Sequence, residues 1–203
     1  MRIASLIILC VALAAIPAFA DYTNGAINGT TDAWTINFGY IVSDTFVTGA
    51  PTAVVGFDFG VWEFPGDVLT SVDWSITSAE NGGTVYGSGT ASGKNIADSF
   101  ISTNQFGYDI DKISVTGLNV ALTNPGTYWL NLQNATVPSG DPVYWDENSG
   151  PSSASESSVG TIPSEAFTVH GSGMSGMTPE PGSILLFGSG ILGVAGLLRH
   201  KLF

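Results

Sequence analysis

The chain has 203 residues, 44% of them hydrophobic and 11% charged, enough for one ordinary domain with tails. Lys and Arg number 5 against 17 Asp and Glu, a formal net charge of −12, so the chain repels phosphate backbones and nucleic acid is excluded as a partner. An aromatic share of 11% also excludes an acidic disordered chain.

The first element is not part of the fold. Met1-Arg2, an apolar run from Ile3 to Ile16 and Ala18-Phe19-Ala20 supply the basic start, apolar stretch and A-x-A site of a secretory signal peptide. Signal peptidase is expected to remove residues 1–20, with Ala18 and Ala20 as the cleavage site and Asp21 as the new N-terminus. A spanning anchor needs about 20 apolar residues, and Pro17 breaks this run sooner. Cys10 is the only cysteine and leaves with the peptide. The mature chain then has no disulfide, thiolate nucleophile or Cys metal ligand.

Residues 21–170 read as the folded domain, built of short alternating runs. Trp34, Ile36, Phe38, Tyr40 and Val42 alternate with Thr35, Asn37 and Gly39, a half-buried strand. Val55, Phe57, Phe59 and Val61 alternate with Gly56, Asp58 and Gly60 in the same way. Phe64-Pro65-Gly66-Asp67 makes a turn, because Pro presets φ and Gly accepts a positive φ. Val68, Thr70, Val72, Trp74 and Ile76 form the return strand, and Asn81-Gly82-Gly83 the next hairpin turn, into Thr84-Val85-Tyr86. Further strands are expected at 98–105, 112–116, 118–122, 127–132 and 166–170, with 148–160 a long surface loop and 171–178 a flexible linker. This spacing predicts an all-β domain, an antiparallel β-sandwich of jelly-roll-like form. Trp34, Phe57, Phe59, Trp74 and Tyr128 are expected to fill its core.

The chain ends on a second address. Pro179-Glu180-Pro181 precedes an uncharged stretch, 182–198, which as a helix measures about 25 Å, at the lower edge of what spans a bilayer. A soluble helix would carry a polar stripe, and here only Gly and Ser interrupt the apolar residues. A single C-terminal transmembrane helix is therefore expected, with Arg199 and Lys201 as the basic stop on the cytoplasmic side.

These three elements in fixed order resemble the PEP-CTERM sorting signal, which is similar in logic to the sortase tail of Gram-positive surface proteins. The resemblance covers residues 179–203. It implies export across the inner membrane of a Gram-negative-type bacterium and transient anchoring there by the C-terminal helix. It also implies an exosortase, a membrane cysteine protease/transpeptidase, that recognises Pro179, Glu180 and Pro181 and passes the domain to the cell surface or medium. Thr178 departs from the apolar residue usual in the family, and the basic end carries fewer arginines.

The domain is short of catalytic parts, and no enzyme or organic cofactor is expected. Its one histidine, His170, has no G-x-S-x-G serine to serve and cannot build a multi-His zinc site. Gly171-Ser172-Gly173-Met174-Ser175-Gly176 matches G-x-G-x-x-G, but no acidic residue follows at nucleotide-binding spacing. Carboxylates are abundant, and Asp58, Glu63, Asp73, Asp146 and Glu147 read as solvated acids rather than a glycosidase pair. Asp109, Asp111, Asp146 and Glu147 place hard oxygen ligands beside loops and are candidate calcium ligands, although neither run is a D-x-D-x-D-G loop. Trp62, Tyr144 and Trp145, set among carboxylates and amides, are candidate glycan-stacking residues; packing over the sandwich ends is the commoner fate of such aromatics. The expectation is a noncatalytic surface or matrix protein, with a carbohydrate-binding module for exopolysaccharide as the alternative.

Overall fold

The computed structural model describes residues 21–173. The expected signal peptide, residues 174–178 of the linker, the sorting motif and the helix at 182–198 lie outside the described residues.

Alternating apolar and polar residues build strand after strand. Strand β1 is Tyr22–Thr23, β2 Ala33–Thr35, β3 Ile41–Thr48, β4 Thr52–Glu63 and β5 Ser71–Ala79. They are followed by β6 Gly82–Ser92, β7 Ile96–Thr103, β8 Asp109–Leu122 and β9 Gly126–Thr136. Three short strands, β10 Tyr144–Asp146, β11 Ala154–Glu156 and β12 Gly160–Ile162, precede β13, Phe167–Gly173.

Two antiparallel sheets result. The first is organised around β4, which pairs with β8 along one side, with β7 beyond. On its other side β13 and β10 share its length, flanked by β1 and β2. The second sheet runs β12-β11-β3-β9-β5-β6. Between the two, Phe57, Phe59, Val61, Ile113 and Val115 meet Val42, Phe46, Val72, Ile76, Leu130 and Leu132 in one apolar cluster. Fully burying each such side chain contributes about 1.5–3 kcal/mol. The result is the expected all-β sandwich.

Several local expectations change. The alternation from Trp34 to Val42 is not one strand: Phe38 (φ 56°) and Gly39 (φ 90°) turn the chain, sending β2 to one sheet and β3 to the other. A chain crossing between sheets keeps an apolar alternation, because both ends still face the same core. The Phe64–Asp67 turn does form, with Asp67 N–H donating to the Phe64 carbonyl at 3.0 Å and Gly66 at φ 89°. It too crosses between sheets, so β5 pairs with β6 and β9 and not with β4. The 148–160 stretch contains β11, whose Ala154, Ser155 and Glu156 are all buried against β3. Finally, β13 continues through Gly173, pairing with Thr52, Ala53 and Val54, so the folded unit runs past the expected boundary at residue 170.

Candidate functional site

The chemistry gathers where β4 ends, β8 begins and β10 joins them. Successive residues of a strand point to opposite faces, so the register sorts the candidates. Tyr144 lies opposite Trp62 and Trp145 opposite Val61. Val61 is a core residue, so Trp62 and Tyr144 share the outer face and Trp145 points inward.

Trp145 is fully buried, packed edge-on against Phe59 and Phe167, and its indole N–H donates to the Ala166 carbonyl at 3.0 Å. This corrects the expectation that Trp145 offers a face to a sugar: its ring is core. On the outer face Trp62 belongs to an aromatic group. Phe106 stacks on it at 5.7 Å and 24°, and Tyr108 lies 5.9 Å away. Tyr108 in turn meets Phe64 at 5.1 Å and Tyr144 at 5.7 Å, both edge-on. Phe64 and Phe106 are exposed, while Trp62 itself is buried beneath them. Of the sequence candidates, Trp62 and Tyr144 are thus brought together. The residues that complete the platform, exposed Phe64 and Phe106 and half-buried Tyr108, carry no motif of their own.

The acidic candidates divide. Asp146 accepts the backbone N–H groups of Asn28 (2.8 Å) and Gly29 (3.0 Å) and the indole N–H of Trp62 (2.7 Å). Burial raises its carboxyl above the usual range, against the pull of those donors. Glu147 accepts the Trp34 indole N–H at 3.0 Å. Both are therefore hydrogen-bond acceptors that fasten the 24–32 segment and β2. Among the described residues, no three acidic or histidine side chains already form a metal-ligating group.

Asp109 and Asp111 stand elsewhere, on the inner face. Along β4 the inward positions are Phe57, Phe59 and Val61, and Glu63 continues that series. Glu63 pairs in register with Asp109, Val61 with Asp111, and on the far side Asp98 pairs with Ile113. All four acids accordingly project between the sheets, with Asp67 on the β4–β5 crossover beside them. Glu63 is fully buried, and neither carboxylate oxygen has a hydrogen-bond partner. Burial first, then Asp98, Asp111, Asp67 and Asp109, push its carboxyl up to about 8. Asp111, also buried, is pushed up to about 6 by burial, Asp98 and Asp109. By contrast Asp109 accepts Gly66 N–H (3.2 Å) and the Thr103 hydroxyl (2.9 Å), and Asp98 accepts Leu69 N–H (2.7 Å). Glu63 read as a solvated acid because outward-facing acids are the commoner kind. The signal that places it inward is the odd-numbered series 57, 59, 61.

A second buried acid, Glu165, is also without hydrogen-bond partners, and burial followed by Asp44 raises its carboxyl well above the usual range. Asp44 beside it is satisfied, accepting Asn24 Nδ2 and Glu165 N–H at 3.2 and 2.7 Å. On the outer face of the first sheet, His170 bridges Asp21 (2.9 Å) and Asp58 (3.1 Å), and Lys112 pairs with Asp58 at 2.7 Å.

No protein-family model and no curated protein matches the chain.

Proposed function

We propose that the chain is an exported, noncatalytic surface or matrix protein, delivered by a signal peptide and processed by an exosortase. The observation that carries this reading is the order of the C-terminal elements: Pro179-Glu180-Pro181, the apolar 182–198 stretch, then Arg199 and Lys201. It is supported by the placement of that motif just after β13, the last strand of the folded domain, which ends at Gly173. The strand pairing supports a jelly-roll-like reading of the sandwich: β3, β4 and β5 pair with β9, β8 and β6, an antiparallel ribbon rolled over itself. Deleting residues 179–203 in the native host tests the sorting step. The truncated protein should be lost from the cell surface and change its processed mass; unchanged localisation and processing overturn the reading.

A second function fits the outer aromatic group. Phe64, Phe106, Tyr108 and Tyr144 form an aromatic group, and Asp141 acts on Tyr144, raising its pKa behind burial and Tyr108. Ring faces bordered by polar groups stack sugars and bond their hydroxyls. An exopolysaccharide quenching or shifting Trp fluorescence in the parent, and failing to do so in Phe106→Ala, supports this role. A panel of acidic and neutral polysaccharides without any response removes it.

A further inference from the structure

We propose that Glu63, Asp111 and Asp98 hold a hard divalent cation of the calcium class between the sheets, beneath the crossover from β4 to β5. The placement follows from register. Glu63 ends the inward series of β4, Asp111 enters the inward series of β8, and Asp98 is cross-strand to Ile113 on β7. Asp109 and Asp67, both half-buried, are the further acids acting on Glu63.

The independent observation is Glu63 itself. It is fully buried, and both of its oxygens lack a donor. Native proteins leave few buried polar atoms unsatisfied, and a buried carboxylate without a counter-charge is costlier than any neutral group. Among the described residues, no basic side chain is one of the charges acting on it. Lys112 follows Asp111 in sequence but belongs to the opposite face, where it pairs with Asp58. The charged groups acting on Glu63 are Asp98, Asp111, Asp67 and Asp109, every one an acid. A single proton on Glu63 would neutralise one of these groups and leave the rest facing one another.

A dication answers both deficits, giving the orphan oxygens a partner and the cluster a counter-charge. The donors are all oxygen, from carboxylates, which selects calcium or magnesium over zinc or copper. The crossover is tied to the same acids, since Leu69 N–H bonds Asp98 and Gly66 N–H bonds Asp109. Among the described residues no three acids already stand as a ligating group. Cation binding draws them in and fastens the crossover with them. This site lies on the inner face and stands whether or not the outer aromatic face binds sugar.

The experiment uses the full chain in detergent, stripped with a chelator and titrated with calcium chloride by calorimetry and thermal unfolding. One equivalent should bind and raise the unfolding temperature, because a ligand that binds only the folded state stabilises it by mass action. Glu63→Gln and Asp111→Asn should each weaken binding at least about tenfold, while Asp73→Asn, an acid on the other sheet, leaves it unchanged. Circular dichroism establishes that each variant is folded, and either Glu63→Gln or Asp111→Asn alone suffices for the comparison. No heat and no thermal shift at millimolar calcium overturn the proposal. So does undiminished binding in the folded variants, which would place the cation elsewhere.

Discussion

The indole N–H of Trp62 donates to Oδ1 of Asp146 at 2.7 Å. Two residues that the sequence offers to different ligands, one to a sugar and one to a metal, are thus each other's partner. Asp146 also holds the backbone of Asn28 and Gly29, so one carboxylate binds β4, β10 and the 24–32 segment that covers the outer sheet face.

Asp146→Ala should therefore act on stability. It removes the acceptor from three donors, two of them backbone groups, and each buried donor left unpaired costs about 1–3 kcal/mol. A loss of about 3 kcal/mol or more in urea unfolding is expected, with less for Asp146→Asn, which keeps a carbonyl acceptor. A variant within about 0.5 kcal/mol of the parent would show that the clamp contributes little.

Trp145→Ala and Phe106→Ala make a matched contrast. Trp145 is fully buried between Phe59 and Phe167, and Trp-to-Ala truncation in a core costs about 3–5 kcal/mol. Phe106 is 58% exposed, so its truncation should cost about 1 kcal/mol or less. Thermal unfolding should separate the two by many degrees. Similar losses in both would mean that the exposed aromatic group is structural.

What the sequence made legible follows its period. The 57-59-61 and 72-74-76 alternations gave β4 and β5, and the Asn81-Gly82-Gly83 turn gave the β5–β6 hairpin with Asn81 at φ 49° and Gly83 at φ 75°. Period alone does not say which sheet a strand joins, so two of the chain's crossings between sheets, at Phe38-Gly39 and Phe64–Asp67, read as a continuous strand and a hairpin. Short strands were hidden for another reason. β11 is Ala-Ser-Glu, without apolar alternation, and its burial comes from β3 and β12 on either side. At the candidate site, the aromatics of Trp62 and Tyr144 were visible as types, but their shared face and Trp145's opposite one depend on the β4–β10 register. Glu63 was visible only as an acid between aromatics. Its burial depends on β8 supplying Asp109 and Asp111 across from it, a pairing separated by dozens of residues.

His170 gives a pH prediction of definite sign. Burial pulls its imidazole down, but hydrogen bonds to Asp21 and Asp58 outweigh that and leave its pKa raised above the ordinary 6.5. The folded state then binds the proton more tightly than the unfolded chain, so stability declines with rising pH across that window. The contribution is complete below about pH 6.5, the unfolded value, and is lost as pH rises through the folded pKa. In His170→Gln this portion of the pH dependence should vanish, and proton NMR of the parent should find the imidazole titrating above 6.5. An imidazole titrating below that value, or an identical stability profile in the variant, would contradict the pairing.

Gly29 and Gly140 separate backbone strain from steric clash. Both have positive φ, 63° and 79°, a region that costs a non-glycine residue about 1–3 kcal/mol. Around Gly140 an added Cβ meets nothing within 4 Å, so Gly140→Ala should lose only that conformational term. At Gly29 the Cβ would sit 2.5 Å from Ile110 Cγ1, which is itself buried beneath the segment and has no open space to move into. Gly29→Ala must therefore lift the segment and stretch the Gly29–Asp146 hydrogen bond as well, and it should be the more destabilising of the two by about 1–2 kcal/mol. Hydrogen exchange at the Asn28 and Gly29 amides should accelerate in Gly29→Ala and stay at the parent rate in Gly140→Ala. Equal destabilisation, with protection at Gly29 retained, would show that the 24–32 segment is not held down on Ile110 by this close approach.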